Sequence, residues 1–415
     1  MNTEIITIGD ELLIGQVIDT NSAWLAAEVN KIGAKILKKI SISDDKNAIL
    51  QSLKETSADL ILVTGGLGPT KDDITKQTIC EYFETKLVFS QSAYNKTEEY
   101  VLRRNGAMND RNKQQAFLPE NCLMITNNFG SASGMLFEKN AKTFIFMPGV
   151  PFEMKKMFSE QVIPIITEKF SFENIIQINI CTFGIPESQL ADKLADFEDT
   201  MPENMSLAYL PSPERNLLRL GIRGGDRVEN RAETEKQIDK KVTDIISLLG
   251  QNIYSFSDEY LENTIGELLR GYSKKVAVAE SCTGGNISRL ITSISGSSEY
   301  FEGGVVAYSN RIKSEILGVQ QNTLDQNGAV SKETVEEMAL GIKNLYKSDY
   351  GIGVSGIAGP GGAVEGKPVG TVWIAVADDS GVISQRFQFG ELREIIVRRA
   401  SATALDMLRR LIINS

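Results

Sequence analysis

Histidine is absent from all 415 residues. Without an imidazole, a Ser-His-Asp triad, a Cys-His dyad and a His-ligated metal centre are all excluded within the chain. A base must then be a carboxylate, a lysine, a tyrosine or a metal-bound hydroxide. A metal must sit on oxygen ligands, which favours Mg²⁺ or Mn²⁺ over zinc. Cysteine is scarce: Cys80, Cys122, Cys181 and Cys282 lie far apart with no Cys-x-x-Cys, so neither a zinc knuckle nor a disulfide framework is indicated. No apolar run approaches the roughly 20 residues that cross a bilayer. The first nine residues lack the basic-then-apolar layout of a signal peptide and read as a strand, so the expected compartment is the reducing cytoplasm. Basic charge is in deficit, with a net charge of −10. That balance argues against general binding to nucleic acid or to an anionic membrane.

What remains is ordinary globular material, 42% hydrophobic and 24% charged. At about 150 residues per domain, the length suggests two or three domains. Residues 1–168 alternate strand and helix signals, with strands expected at 4–8, 60–63 and 143–147, and Leu25, Val29 and Ile32 on one helix face. Such alternation implies a mostly parallel sheet covered on both faces, with ligands at the carboxyl ends of its strands. Residues 169–255 change texture. Short strands fit 175–182, 205–209 and 217–222, one helix carries Leu190, Leu194 and Phe197, and a charged helix fits 228–249. That stretch reads as a small α+β connecting or dimerising domain. Residues 256–415 return to an α/β pattern.

Two strand–turn–helix units stand out. In the first, Ile61-Leu62-Val63 runs into Thr64-Gly65-Gly66-Leu67-Gly68-Pro69-Thr70-Lys71-Asp72-Asp73. Glycines let backbone approach a ligand, and convergent N–H groups form an anion nest. Asp72 and Asp73 favour the helix dipole or hold a divalent cation beside a phosphate. Gly9-Asp10-Glu11 and Asp19-Thr20-Asn21 follow the first strand and converge on the same mouth, with Asn21 open to a second role as a helix cap. In the other unit, Val276-Ala277-Val278-Ala279 leads into Glu280-Ser281-Cys282-Thr283-Gly284-Gly285, with a helix face at Ile287, Leu290, Ile291 and Ile294. The helix N-terminus there favours a phosphate or a developing oxyanion. A Ser/Thr cap with tight-turn glycines is the structural alternative.

These residues carry a resemblance. Gly9-Asp10-Glu11, Asp19-Thr20-Asn21, the 64–73 turn and Pro148-Gly149-Val150-Pro151 resemble the molybdopterin-binding domain of molybdenum-cofactor biosynthesis proteins, in the version typical of the CinA family (competence/damage-inducible protein A). The C-terminal part resembles that family's nicotinamide-mononucleotide (NMN) deamidase domain. The matching stretches are Ala279 to Gly285, Gly304 to Asn310 with Lys313, Gly328 to Ser331, Ser355 to Gly362 and Lys367 to Trp373.

The resemblance implies an α/β protein in three parts: an N-terminal molybdopterin-binding-like three-layer α/β domain (1–168), a small α+β middle domain (169–255) and a C-terminal α/β deamidase domain (256–415). It implies a bifunctional enzyme of pyridine-nucleotide recycling. The C-terminal domain is expected to hydrolyse NMN to nicotinate mononucleotide and ammonia with no cofactor. The N-terminal domain is expected to cleave ADP-ribose to AMP and ribose 5-phosphate with Mg, Mn or Co. Ser281 stands at the family's nucleophile position. With histidine missing, Lys313 is the expected base, and Tyr308 orients the pair or relays a proton. Thr283, Gly284, Gly285, Ser355 and Gly356 are expected around the substrate. Arg393 is the best match to the phosphate-binding arginine, and Arg398 stays a candidate because the spacing is longer here. Gly66, Gly68 and Thr70 are expected near phosphate, and Asp72, Asp73, Asp10 and Glu11 near the metal. Each has a plain structural competitor: Ser281 as a cap, Lys313 as a surface cation, Tyr308 as packing, Cys282 as a rival nucleophile. A homodimer is expected from the resemblance, and no membrane or direct nucleic-acid partner. The alternatives are a domain that holds a pterin or nucleotide without cleaving it, and an interaction protein of competence or DNA repair.

Overall fold

In the computed structural model, which describes residues 1–68, 74–104, 106–170, 172, 174–224 and 231–414, the chain forms two compact units. One comprises Met1–Ile175 with Arg223–Ala232, the other Ile176–Ile222 with Glu233–Ser415.

The first unit is built on β1 (Asn2–Ile8), β2 (Lys35–Ile42), β3 (Leu60–Thr64), β4 (Leu123–Ile125), β5 (Gly134–Lys139) and β6 (Lys142–Met147), in the order β2-β1-β3-β6-β5-β4. The first four run parallel and the last two add antiparallel edges. The side-chain period of two splits each central strand between two cores. Ile6, Ile8, Ile61 and Val63 pack against α2 (Lys46–Glu55) and α3 (Thr75–Tyr82) through Ile49, Leu53 and Ile79. On the opposite face Ile5, Leu60 and Leu62 pack against Leu25 and Val29 of α1 (Thr20–Lys31) and Met154 of α4 (Pro151–Met157). Burying each such side chain contributes about 1.5–3 kcal/mol. The expected three-layer arrangement is therefore present. Ile32 falls just beyond α1, which Gly33 ends with a left-handed φ of 87°.

In the second unit, β7 (Asn174–Thr182), β8 (Met205–Pro211), β9 (Asn216–Gly224) and β10 (Ile253–Ser255) form a sheet in the order β8-β9-β7-β10. One face is covered by α5 (Glu187–Asp199) and α6 (Arg231–Leu249), where Leu190, Leu194, Phe197, Ile238 and Ile245 meet Ile180, Leu218 and Leu220. Cys181 and Leu217 face the other way, into the core of the C-terminal domain.

That domain contains α7 (Leu261–Gly271), β11 (Val276–Glu280), α8 (Asn286–Thr292), β12 (Phe301–Val306), α9 (Asn310–Glu315), α10 (Lys332–Tyr346), β13 (Tyr350–Gly356), β14 (Thr371–Ala377), β15 (Val382–Gln388) and α11 (Arg393–Asn414). Its strand order is β12-β11-β13-β14-β15. Val276 and Val278 face α7, α8 and α11, while Ala277 and Ala279 face Met338 and Ile342 of α10. The helix expected to reach Ile294 stops at Thr292, where the Ser293 hydroxyl donates to Leu290 O at 2.6 Å and competes with the backbone ladder.

Both α/β sheets share one topological feature. The central strand has parallel neighbours whose connections leave in opposite directions, β2 and β3 around β1, β12 and β13 around β11. A crevice opens at the carboxyl end of such a strand. Gly9 and Gly65 stand at the first crevice, Ser281 at the second.

Candidate active site

The C-terminal crevice begins where β11 ends. The Ser281 N–H still donates to Val354 O of β13 at 2.9 Å, and Ala307 N–H donates to Glu280 O at 2.7 Å, so neighbouring strands clamp the start of the turn. The chain then reverses through Gly284 and Gly285, with φ of 62° and 96°. Two successive left-handed residues suit glycine and strain any β-carbon. The turn delivers the Ser281 side chain, 9% exposed, into the crevice.

Lys313 arrives from α9, whose first turn is capped by Ser309. Its Nζ lies 3.0 Å from Ser281 Oγ and donates to Ala307 O at 2.7 Å. The lysine is 1% exposed, and no carboxylate pairs with it among the described residues. An ammonium buried without a counter-ion costs several kcal/mol. Burial accordingly holds the Lys313 pKa below the ordinary lysine value, with the Cys282 thiol opposing the shift. A neutral amine beside a hydroxyl can accept its proton.

The carboxylate of Glu280 has a role that sequence reading did not assign. Fully buried, it accepts from the N–H groups of Gly285, Ile287 and Ser288 at 2.8–3.0 Å and from the Ser288 hydroxyl at 2.8 Å. The first amides of α8 are thus occupied from inside. Gly284 N–H donates to Ser281 O, so neither Gly284 nor Gly285 offers its amide to a ligand, as had been expected of the turn. The signal was a carboxylate five to eight residues before the amides it caps, farther away than the usual cap, which directly precedes the helix.

Thr283 remains: its Oγ1 is buried and has no partner. A buried hydroxyl without a hydrogen bond is costly, and here it stands two residues from Ser281. Cys282 packs into the apolar core, its Sγ 3.0 Å from where a β-carbon on Gly356 would lie. Burial pushes its thiol up to about 12, which leaves little thiolate for attack. The Ser355 hydroxyl is committed to Ala329 O at 2.7 Å.

Tyr308 is 63% exposed, and its hydroxyl accepts from Arg393 at 3.3 Å; it makes no hydrogen bond to Ser281 or Lys313. Arg393, the first residue of α11, also donates to Gly359 O at 2.8 Å and has no ion-pair partner among the described residues. Arg398, by contrast, is tied to Glu214 through both carboxylate oxygens and approaches Glu394 at 3.8 Å. Both arginines line a cavity of about 840 Å³ with Asn286 and Arg289.

The N-terminal crevice has the opposite charge. A β-carbon on Gly65 (φ 106°) would fall 2.1 Å from Ile8 O, so only glycine lets β3 turn this close to β1. Gly66 backs onto Thr75 in the same way. Asp19 caps α1 through Ser22 N–H at 2.9 Å, which frees Asn21 from that role. Asn21 donates to Gly149 O at 2.8 Å, and its buried Oδ1 has no partner. Asp10 accepts from Ser43 Oγ at 2.6 Å, and Glu11 folds over Gly9. Asp44, absent from the sequence reading, joins them; burial raises its pKa, helped by the charges of Asp10 and Glu11. Gly68 is exposed at the end of the described turn. Thr70, Asp72 and Asp73 lie outside the described residues. Among the described residues, no three carboxylates or cysteines converge to hold a metal ion, so the described residues do not by themselves fit a divalent cation.

Two α/β domains with opposite crevices, joined to a small α+β module, define the class: a multidomain α/β protein with a buried serine–lysine pair. Residues 4–168 match the probable molybdopterin binding domain, residues 178–255 the damage-inducible protein CinA KH domain, and residues 258–412 the CinA C-terminal domain. A CinA-like protein of Cytophaga hutchinsonii is 43% identical over 99% of both chains. A putative competence-damage inducible protein of Caldicellulosiruptor saccharolyticus is 40% identical over 100% of both. A solved competence-damaged protein (CinA) superfamily protein from Klebsiella pneumoniae is 33% identical, covering 37% of this chain and 97% of that one, with a TM-score of 0.37. The chain belongs to the CinA family. No helix among the described residues is long and apolar enough to cross a membrane.

Proposed function

We propose that the C-terminal domain is an amidohydrolase that converts NMN to nicotinate mononucleotide and ammonia. The observation that carries this reading is the buried Ser281–Lys313 pair, 3.0 Å apart with no carboxylate on the lysine. Neutral Lys313 takes the Ser281 hydroxyl proton as Oγ attacks the carboxamide carbon. Thr283, with its unpartnered hydroxyl, is the donor assigned to the developing oxyanion. Lys313 then returns the proton to the departing nitrogen, and the C–N bond breaks to release ammonia and leave an ester on Ser281. Water attacks that ester, Lys313 accepting one of its protons and passing it back to Oγ, which frees the acid; the acid sheds its remaining proton to solvent and departs as the carboxylate. Arg393 is assigned to the substrate phosphate, where a planar guanidinium offers two parallel donors.

Ammonia release from NMN, compared with Ser281→Ala and Lys313→Ala, tests the assignment. Both variants should lose at least about a thousandfold in kcat. Activity surviving in Ser281→Ala sinks the nucleophile, and a folded wild-type protein that releases nothing leaves a binding role.

For the N-terminal domain we propose hydrolysis of the diphosphate of ADP-ribose to AMP and ribose 5-phosphate, on the strength of family membership and the acidic crevice of Asp10, Glu11 and Asp44. No step is assigned there, because the described carboxylates do not compose a cation site. Metal-dependent AMP release, lost in Asp72→Ala or Asp73→Ala, is the result expected. No release with Mg²⁺, Mn²⁺ or Co²⁺ favours binding without cleavage.

A further inference from the structure

The middle module meets the arginine helix near its end through Gln251, whose carbonyl accepts from Arg409 at 2.7 Å, and near its start through a hairpin tip. Between β8 and β9 the chain turns through Ser212-Pro213-Glu214-Arg215, braced by Ser212 N–H to Arg215 O at 2.8 Å and Arg215 N–H to Ser212 Oγ at 3.2 Å. Pro211 and Pro213 fix φ on either side of Ser212, so the tip is stiff. Its two charged residues diverge. Arg215 pairs with Asp258, donates to Glu259 O and lies 4.1 Å over the Tyr260 ring, all just before α7. Glu214, 18% exposed, takes both donors of Arg398 on α11. Arg393 opens that same helix five residues earlier, about 7.5 Å along the axis.

Three arginines line the cavity; Arg289 is turned onto Asn286 Oδ1 through two donors at 3.1 Å, which leaves Arg393 and Arg398 as the choice for an incoming phosphate. Arg393 donates to Gly359 O and the Tyr308 hydroxyl, and its charge is felt at Cys282, next to Ser281, while Arg398 is held back by Glu214. We propose that Glu214 is a positioning residue for phosphate recognition: it occupies Arg398 and pins the first turns of α11, so that Arg393 alone meets the substrate phosphate at the distance the carboxamide requires. This rests on the NMN reading given above. It assigns the middle module a task, that of setting the substrate-binding geometry of its neighbour from a rigid hairpin.

Steady-state kinetics of the full chain with NMN, and with its phosphate-free nucleoside, test this. Glu214→Gln keeps the shape and removes the charge. It should raise KM for NMN by roughly fivefold to tenfold, leave kcat within about twofold and leave the nucleoside unchanged. The charge-swapped pair Glu214→Arg with Arg398→Glu should recover most of the KM. Equal changes for both substrates, or no change for either, overturn the proposal. If the wild-type protein releases no ammonia, the catalytic reading fails first, and calorimetry with inorganic phosphate still decides the positioning claim. Weaker phosphate binding in Glu214→Gln than in wild type supports it. Equal or tighter binding, with Arg398 set free to serve, overturns it.

Discussion

The two crevices use one backbone device and decorate it with opposite charge. Each follows a central parallel strand whose neighbours diverge, and each turns on left-handed glycines, Gly65 and Gly66 in one, Gly284 and Gly285 in the other. The N-terminal mouth gathers Asp10, Glu11 and Asp44, and their mutual repulsion with burial raises the Asp44 pKa. The C-terminal mouth sets Lys313 beside Ser281 with no carboxylate paired to it among the described residues, and the neighbouring Glu280 carboxylate is turned inward onto the amides of α8. A glycine turn at a switch point is therefore a mounting and not a function. The sign and burial of a few side chains decide which chemistry such a turn can host.

The sharpest way to break the comparison is to return the α8 amides to solvent. Glu280→Ala leaves three N–H groups and one hydroxyl without their acceptor. It should cost about 3 kcal/mol or more of unfolding free energy, read by denaturant titration. A variant of wild-type stability would mean that water caps the helix equally well, and the inward carboxylate would lose its meaning.

A smaller effect concerns Lys313. Burial lowers its pKa from the ordinary value of 10.5, so the working base form gains population as pH rises. Activity should climb about tenfold per pH unit, about 1.4 kcal/mol, and level off at a pH below 10.5. The pH dependence of kcat/KM for NMN measures this directly. A flat profile from pH 6 upward would leave the lysine without a role as base.

The smallest effect belongs to the acidic mouth. A carboxyl whose pKa is raised on folding favours the folded state when protonated and penalises it once ionised, so the penalty appears as pH rises through the unfolded value. Asp44→Asn removes it while keeping an acceptor for the Thr75 hydroxyl. Thermal melts at neutral pH should show a gain below about 1 kcal/mol, since solvent screens these charges. The gain should vanish near pH 3, and a loss at neutral pH would mean that the Thr75 bond outweighs the repulsion.

Much of this was legible in the residues. The apolar runs at 60–63 and 276–279 marked central strands, and the glycines after them marked the crevices, because period and turn chemistry are local. Ser281 and Lys313 are 32 residues apart and were joined only by family resemblance. The choice between Arg393 and Arg398 was illegible, since it depends on Glu214, 184 residues from Arg398 in the chain. Asp44 was not singled out and Asn21 was left between two roles for a similar reason: a polar residue near a strand end or helix start has several local uses, and only its distant neighbours select one. Glu280 shows the same limit at short range. Its position in the motif was plain, but the backbone reversal that folds it over the following helix was not.

A lysine that burial pushes toward its neutral form also governs how the proposed reaction ends. The product carries a new carboxylate where the substrate had a neutral amide. A lysine kept charged would bind that carboxylate as an ion pair and hold the product in place. Lys313, buried and anchored on Ala307 O, regains its neutral form once Oγ has its proton back. In the proposed reaction the second proton of the attacking water leaves on the acid and is shed to solvent, so a neutral amine offers the newly formed carboxylate no charge to hold it.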